Sequence, residues 1–178
     1  PDRVNHAGAI VGFNGSGMDF GFLDKDSPEY NVGKETLATC GGAMLTRRSI
    51  WKKLGGFDES FFAYCEDSDL CWRAWIQGYT CVYVPESIVL HKFGGTWNLE
   101  KSKMIPAKVS YIEKNKMISI LKNYEKFTLT WAFPLTVAYD FMKIIMQFAR
   151  KKPSLALAIA KNIFHAYEYV FQNISEIM

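Results

Sequence analysis

The segment Trp131–Phe148 is apolar for almost the length of a membrane span, yet Asp140, Lys143 and Gln147 break it at spacings of three and four. On a helix, that spacing puts the three polar residues on one face. A spanning helix rarely carries such a stripe, whereas a core or interfacial helix often does. Pro134 falls early in this helix, where it is tolerated. Leu155–Gln172 repeats the pattern with Lys161, His165, Glu168 and Gln172 on one face. Ahead of both, Val109–Lys126 sets Val109, Ile112, Lys116, Ile120 and Tyr124 at helical spacing, with Met117 and Leu121 toward the apolar side. The back of the chain is therefore expected to be helical, with amphipathic helices over 127–150 and 153–173 flanked by Lys and Arg.

Charge divides the chain in the same place. Residues 1–100 carry 9 Lys+Arg against 13 Asp+Glu, whereas residues 101–178 carry 12 against 5. An acidic front and a basic back predict two domains with different tasks, 1–100 and 101–178. The overall net charge is only +3 and the hydrophobic content is 49%. Those values exclude a disordered chain and argue against a nucleic-acid binder. Cys40, Cys65, Cys71 and Cys81 form no C-x-x-C pair and are few for 178 residues. They read as small buried hydrophobes in a reducing compartment. Residue 1 is Pro, and no basic, apolar, cleavable leader follows it, so the chain is expected to begin inside a longer polypeptide.

The front half reads as α/β. Ala9–Phe13 is a strand or strand end, and Asp24 to Lys34 is a polar surface loop containing Pro28 and Gly33. Thr46 is placed to cap a short helix, Arg47–Leu54, which Gly55-Gly56 ends. A second helix is expected from Asp67 or Ser68 to Gly78. Strands are expected at Thr80–Val84 and Ser87–His91, the latter followed by the loop Lys92–Thr96.

Chemistry concentrates in Tyr64-Cys65-Glu66-Asp67-Ser68-Asp69-Leu70-Cys71-Trp72-Arg73, where three carboxylates fall within four residues. Acidic residues favour helix N-termini, where they meet backbone N–H groups and the positive end of the dipole. That accounts for one carboxylate better than for the adjacent pair Glu66-Asp67 among Phe61, Phe62, Tyr64 and Trp72. Crowded carboxylates in partly apolar surroundings acquire raised pKa values, which suits a general base. His91 ends an apolar strand before a Gly-Gly loop and is either structural or a metal ligand. Gly12, Gly15, Gly17 and Gly21 fit no phosphate-binding fingerprint and are read as turn glycines. Asn14-Gly15-Ser16 and Asn173-Ile174-Ser175 spell glycosylation sequons, against which the cysteine usage argues.

One ordered set of residues is more specific. Cys40-Gly41-Gly42-Ala-Met-Leu-Thr precedes Gly55-Gly56-Phe57-Asp58-Glu59. Then come Glu66-Asp67-Ser-Asp69-Leu, Arg73, Gly78-Tyr79, Val84-Pro85 and His91 with Gly94-Gly95-Thr96. This order resembles the acceptor-side half of family 2 glycosyltransferases, nearest to rhamnosyltransferase-like members, over about residues 7–96. Asn115–Asn123 and the helices after it are similar to the tail of the same enzymes. The resemblance implies a partial A-type glycosyltransferase fold, lacking most of its N-terminal nucleotide-binding half, followed by a helical extension. It implies a nucleotide-sugar donor, a divalent metal (Mg or Mn), and a glycan or lipid-linked acceptor.

By position it makes Asp67 the general base, Glu66 its support, and Gly41 and Gly42 the lining of the acceptor pocket. His91 becomes a metal ligand. Arg73 falls in the substrate-binding region, although pairing with Asp69 one turn earlier would give it a structural task. The Asp-x-Asp metal motif of such enzymes belongs to the N-terminal half and is not found ahead of Gly8. Asp24-Lys25-Asp26 has that spelling but lies in a polar loop past the aligned position. The cluster Arg150-Lys151-Lys152 would meet anionic headgroups, placing the protein peripherally on the cytoplasmic face of a membrane. The same helices could instead pack on one another or on a second copy of the chain. Competing readings are a non-catalytic interaction module and a metal phosphoesterase built on Glu66, Asp67, Asp69 and His91, for which ligands are few.

Overall fold

The structure is a computed structural model that describes residues 2–91 and 101–178, the latter with side chains from 108 onward. The chain divides into two compact units, Pro1–Gly12 with Gly17–Gly95, and Phe13–Ser16 with Thr96–Met178.

The first unit is α/β. Strand β1 (Ala9–Val11) pairs antiparallel with β2 (Gly17–Asp19), and β3 (Lys34–Thr36) pairs antiparallel with β4 (Cys81–Tyr83). Ala9 also bridges Ala38. Thr36 ties these pieces together: its buried hydroxyl accepts the Ala9 N–H at 2.7 Å and lies 2.8 Å from the Ala9 carbonyl. Helix α1 (Arg48–Leu54) ends where Gly55 turns left-handed at φ 82°. Its N-cap is Arg47, without a side-chain cap bond, not Thr46 as the sequence suggests. Helix α2 (Glu66–Ile76) buries Leu70, Cys71 and Ala74. Leu70 and Ala74 meet Leu54 in one cluster, and Cys71 meets Ala9 and Ala38 in another.

The expected strand at Ser87–His91 does not form. Ile88, Val89 and Leu90 are exposed at 83%, 55% and 76%. A short apolar run makes a strand only with a backbone partner, and no described ladder pairs with this segment. The loop expected at Lys92–Thr96 lies outside the described residues.

The second unit holds α3 (Lys101–Asn123), α4 (Lys126–Ala149), α5 (Pro153–Gln172) and a last turn, α6 (Ile174–Ile177). Pro153 opens α5, where its missing N–H costs nothing. Pro134 stands inside α4 rather than in its first turn, so one helical hydrogen bond to Thr130 is forgone. Met117, Ile118, Ile120 and Leu121 of α3 are buried, as are Ile163, Ala166 and Val170 of α5. Gly15 belongs to this unit because its loop lies hard against α3. A Cβ there would fall 2.4 Å from the Lys116 carbonyl oxygen.

The polar stripe of α4 faces inward. Asp140 is 1% exposed, and Lys116 of α3 is equally buried. Lys116 Nζ lies 2.5 Å from Asp140 Oδ1, and Lys143 Nζ lies 2.7 Å from Glu113 Oε1 and 2.9 Å from Asp140 Oδ1. Tyr167 of α5 donates its O–H to Asp140 Oδ2 at 3.2 Å. The exposed face of α4 is the apolar one, with Phe127, Trp131, Met142 and Ile145 all outward. On α5, Lys161, His165, Glu168 and Gln172 are exposed, together with Leu157, Phe164 and Phe171. Among the described residues, no helix is long and apolar enough to cross a membrane.

Candidate active site

Helix α2 begins at Glu66, one or two residues before the expected start, and its first turn contains Glu66, Asp67 and Asp69. The segment before it is unusually turned. Phe62, Tyr64 and Cys65 have φ of 60°, 70° and 68° without being glycine. Such conformations cost roughly 1–3 kcal/mol each and survive only where the surroundings hold them. Here they aim the first turn of α2 at the chain before α1.

That aim brings Asp67 to Gly41, 26 residues earlier. The Gly41 N–H donates to Asp67 Oδ2 at 2.8 Å, and the Ser68 N–H donates to Oδ1 at 2.7 Å. The carboxylate is thus held by a backbone donor on each oxygen, the Ser68 hydroxyl adds a second bond to Oδ1 at 3.3 Å, and Oδ2 keeps a second lone pair for another proton. A Cβ on Gly41 would lie 3.5 Å from both Asp67 Cβ and Oδ2, an ordinary contact. Neither Gly41 nor Gly42 has a positive φ. Backbone geometry therefore does not demand glycine at either position, and what glycine at 41 leaves open is the space beside the carboxylate.

Glu66 differs from its neighbour. It is half-buried, and its Oε2 has no hydrogen-bond partner among the described residues. Burial pushes its carboxyl above the usual range, its own backbone N–H opposes this, and the Asp67 charge adds to the rise. A raised folded-state pKa favours the protonated form. Any stability it lends is present below the unfolded pKa and is lost as pH rises through the folded one. Glu66→Gln is therefore expected to raise the thermal midpoint near pH 7 and to change little well below 4.5, the ordinary glutamate value. Equal gains at both pH values in melting curves would refute a buried charge as the cause.

The remaining candidates separate. Asp69 is fully buried and accepts from Arg73 Nε at 2.8 Å. The Arg73 guanidinium also donates to the carbonyls of Leu54 and Gly56, the latter at 2.8 Å. Both side chains clamp α2 to the end of α1, so Arg73 has the structural task that its spacing from Asp69 suggests. Gly42 and His91 line one cleft of about 670 Å³, whose lining includes neither Gly41, Glu66 nor Asp67. The His91 ring Nδ1 lies 2.6 Å from Asn5 Oδ1. Mg and Mn prefer about six oxygen ligands. One imidazole beside one amide does not fit that demand, and among the described residues no group of three His, Cys, Asp or Glu is gathered for a metal.

Sequence reasoning missed the part Ser68 plays and the pairing of His6, and it read Cys71 and Cys81 only as small buried hydrophobes, which the burial of Cys71 bears out. Ser68 orients Asp67 through its N–H at 2.7 Å and its hydroxyl at 3.3 Å. Cys71 is buried with Thr39 Oγ1 at 3.5 Å, and Cys81 packs against its cluster. A hydrogen bond from Cys81 lowers the Cys71 thiol to about 7. His6, without an acidic neighbour in sequence, pairs with Asp19 at 2.8 Å across the first hairpin.

Residues 23–159 match the family described as Glycosyl transferase family group 2, which is more than half of the chain. The chain belongs to that family. A stretch of 51 residues is 49% identical to an N-acetylglucosaminyl-diphospho-decaprenol L-rhamnosyltransferase of Mycobacterium tuberculosis, covering 29% of this chain and 17% of that protein. Another match, 38% identical over 66 residues, is to the rhamnosyltransferase WbbL of Escherichia coli, covering 36% of this chain and 25% of that protein. The chain thus spans about a quarter or less of the length of these two curated relatives in what it matches. No solved structure matches it.

Proposed function

We propose that this chain is the acceptor-side part of an A-type glycosyltransferase domain with a helical extension. It serves inverting transfer of a sugar from a nucleotide-sugar to a hydroxyl of a glycan or lipid-linked acceptor. The observation that carries this reading is the Asp67 carboxylate, oriented by the Gly41 and Ser68 N–H groups and bordered by a glycine that leaves it open. Family membership and the rhamnosyltransferase relatives support the reaction class.

An alcohol is a poor nucleophile at neutral pH, so a positioned carboxylate must take its proton during attack. In the proposed step the acceptor O–H proton passes to Asp67. The oxygen bonds to the anomeric carbon from the face opposite the leaving group. The bond from that carbon to the diphosphate oxygen breaks, and the nucleoside diphosphate leaves with the electron pair. Glu66 flanks the base, and Gly41 and Gly42 border the incoming hydroxyl. A divalent metal, which the family resemblance brings with it, would take His91 as its ligand from this part of the chain, since no group of three His, Cys, Asp or Glu is gathered for it among the described residues. The reading places the protein peripherally at the cytoplasmic face of a membrane, where a lipid-linked acceptor is met, either as a single copy or as a homo-oligomer.

The direct test is sugar transfer by the native gene product, offered a panel of nucleotide-sugars and a polyprenyl-diphosphate-linked glycan. A glycosylated product supports the reading, and donor hydrolysis without any acceptor product overturns it. Gly41→Ala gives a sharper check. The added methyl fits the protein at 3.5 Å from its nearest atoms, so stability should stay within about 0.5 kcal/mol. It crowds the side of Asp67 that the hydroxyl must approach, and a misplacement of this size costs on the order of 10²-fold in rate. Full activity in Gly41→Ala would remove Gly41 from the acceptor site.

A further inference from the structure

The helical unit turns charge inward and apolar surface outward along one helix. From Phe127 to Ala149, no exposed residue of α4 carries a charge. Phe127, Trp131, Met142 and Ile145 follow one another at helical spacing, exposed at 77%, 44%, 52% and 64%. Meanwhile Asp140 and Lys143, the charged residues of the same stretch, are engaged with Glu113, Lys116 and Tyr167. At about 1.5 Å per residue, the 24 residues of α4 make a face roughly 36 Å long. Unpartnered apolar surface of that extent marks an interaction site.

The charges at its ends indicate what covers it. Arg150-Lys151-Lys152 stands at one end without an acidic neighbour. Lys126 stands at the other, next to Glu125. A second copy lying along this face would set cations against cations in either direction, parallel or antiparallel. A second copy crossing at an angle would leave both ends of the face wet. An anionic bilayer complements both ends at once: acyl chains take the apolar side chains, headgroups take the Lys and Arg, and Trp131 and Tyr139 suit the boundary between.

We propose that the outer face of α4 is a membrane-docking surface that lies flat in the headgroup–acyl boundary of an anionic bilayer. This deepens the reading of a transferase that meets a lipid-linked acceptor, because it names the face that holds the protein there. The surface does not depend on Asp67 or on any sugar.

The test uses the full chain with vesicles of phosphatidylcholine alone or with about one-third phosphatidylglycerol. Sedimentation is expected to show binding to the anionic vesicles. Replacing Arg150, Lys151 and Lys152 by Gln should weaken it on the order of 10²-fold, from roughly 1 kcal/mol per cation. Met142→Glu with Ile145→Glu should weaken it at least about 10-fold on both compositions, at unchanged circular dichroism. Lipids brominated on the acyl chains should quench the fluorescence of the unmodified chain more than that of Trp131→Phe. This last readout decides the matter even if the Glu variants misfold. No vesicle binding, or binding without acyl-chain quenching, overturns the proposal, and a concentration-dependent dimer in lipid-free buffer would then assign the face to a second copy. Transfer by the native gene product to a water-soluble acceptor analogue needs no bilayer. Its presence without vesicle binding sinks only the docking surface, and its absence with vesicle binding sinks only the transferase reading.

Discussion

Asp67→Asn is expected to lower sugar transfer by the native gene product roughly 10²- to 10⁴-fold, the range that a positioned general base supplies. Asn keeps the shape of Asp, so packing around the first turn of α2 is undisturbed. An amide oxygen can still accept the Gly41 N–H that now reaches Oδ2 at 2.8 Å. The amide NH₂ would then face the Ser68 N–H, which now meets Oδ1 at 2.7 Å, and one donor would lose its partner. That loss costs about 1–3 kcal/mol of stability, which a melting curve reads directly. What Asn cannot do is take a proton from an alcohol. The expected signature is therefore a fall in kcat with KM nearly unchanged, because proton transfer belongs to the transition state and not to binding. Glu66→Gln sharpens the assignment. If Glu66 only flanks the base, its Gln variant retains far more activity than Asp67→Asn. The reverse ranking would move the base to Glu66, whose half-buried carboxyl and unpartnered Oε2 are otherwise features of a tuned acid. Normal transfer by Asp67→Asn would show that Asp67 is not the base.

The site was legible in the sequence to the extent that local chemistry determines it. Three carboxylates ahead of an apolar helical pattern announce a helix N-terminus, and α2 has them in its first turn. The pair Arg73–Asp69 follows from a spacing of four. The contact between Gly41 and Asp67 does not, because 26 residues separate them and two glycines carry no pattern of their own. Only the resemblance placed them in one pocket. Ser87–His91 shows the opposite failure, in which a short apolar run suits a strand but no described backbone partner pairs with it. The polar stripe of α4 is the most instructive case. Periodicity tells which residues share a face, and it was right about Asp140, Lys143 and Gln147. It cannot tell whether water or protein covers that face. The clue lay on the neighbouring helix, where Lys116 stands at apolar spacing between Ile112 and Ile120. A cation on a buried face needs a carboxylate, and Asp140 of α4 supplies one beside Glu113 of α3.

That dependence makes Lys116→Met the most damaging single change expected in the helical unit. Lys116 Nζ lies 2.5 Å from Asp140 Oδ1. It is equally close to Glu113 Oε2, near enough for an ion pair although not aligned for a hydrogen bond. Two cations and two carboxylates make the group neutral. Burial by itself would push Lys143 down, but its hydrogen bonds to Glu113 and Asp140 and their charges outweigh this and hold it up. Methionine fills most of the lysine volume, so packing is kept and only charge is lost. Lys143 is then left alone against two carboxylates, one of them 1% exposed. Breaking a buried pair from one side costs about 3–5 kcal/mol, a large part of the stability of an ordinary domain. The Lys116→Met, Asp140→Leu double variant restores balance, because Lys143 and Glu113 remain as a pair at 2.7 Å. Its remaining debt is the Tyr167 hydroxyl, which loses its acceptor, so it should recover to within about 1–3 kcal/mol of the parent. Denaturant unfolding of the parent, both single variants and the double forms a closed cycle. A strong favourable coupling is expected between positions 116 and 140, and simple additivity would show that the two charges are held independently. The coupling also bears on the outer surface. Asp140 and Lys143 can be satisfied only while they face α3 and α5, and a rotation of α4 that hid Trp131 and Ile145 would drag both charges away from their partners. The same ion pairs that stabilise the interior therefore hold the apolar side of α4 outward.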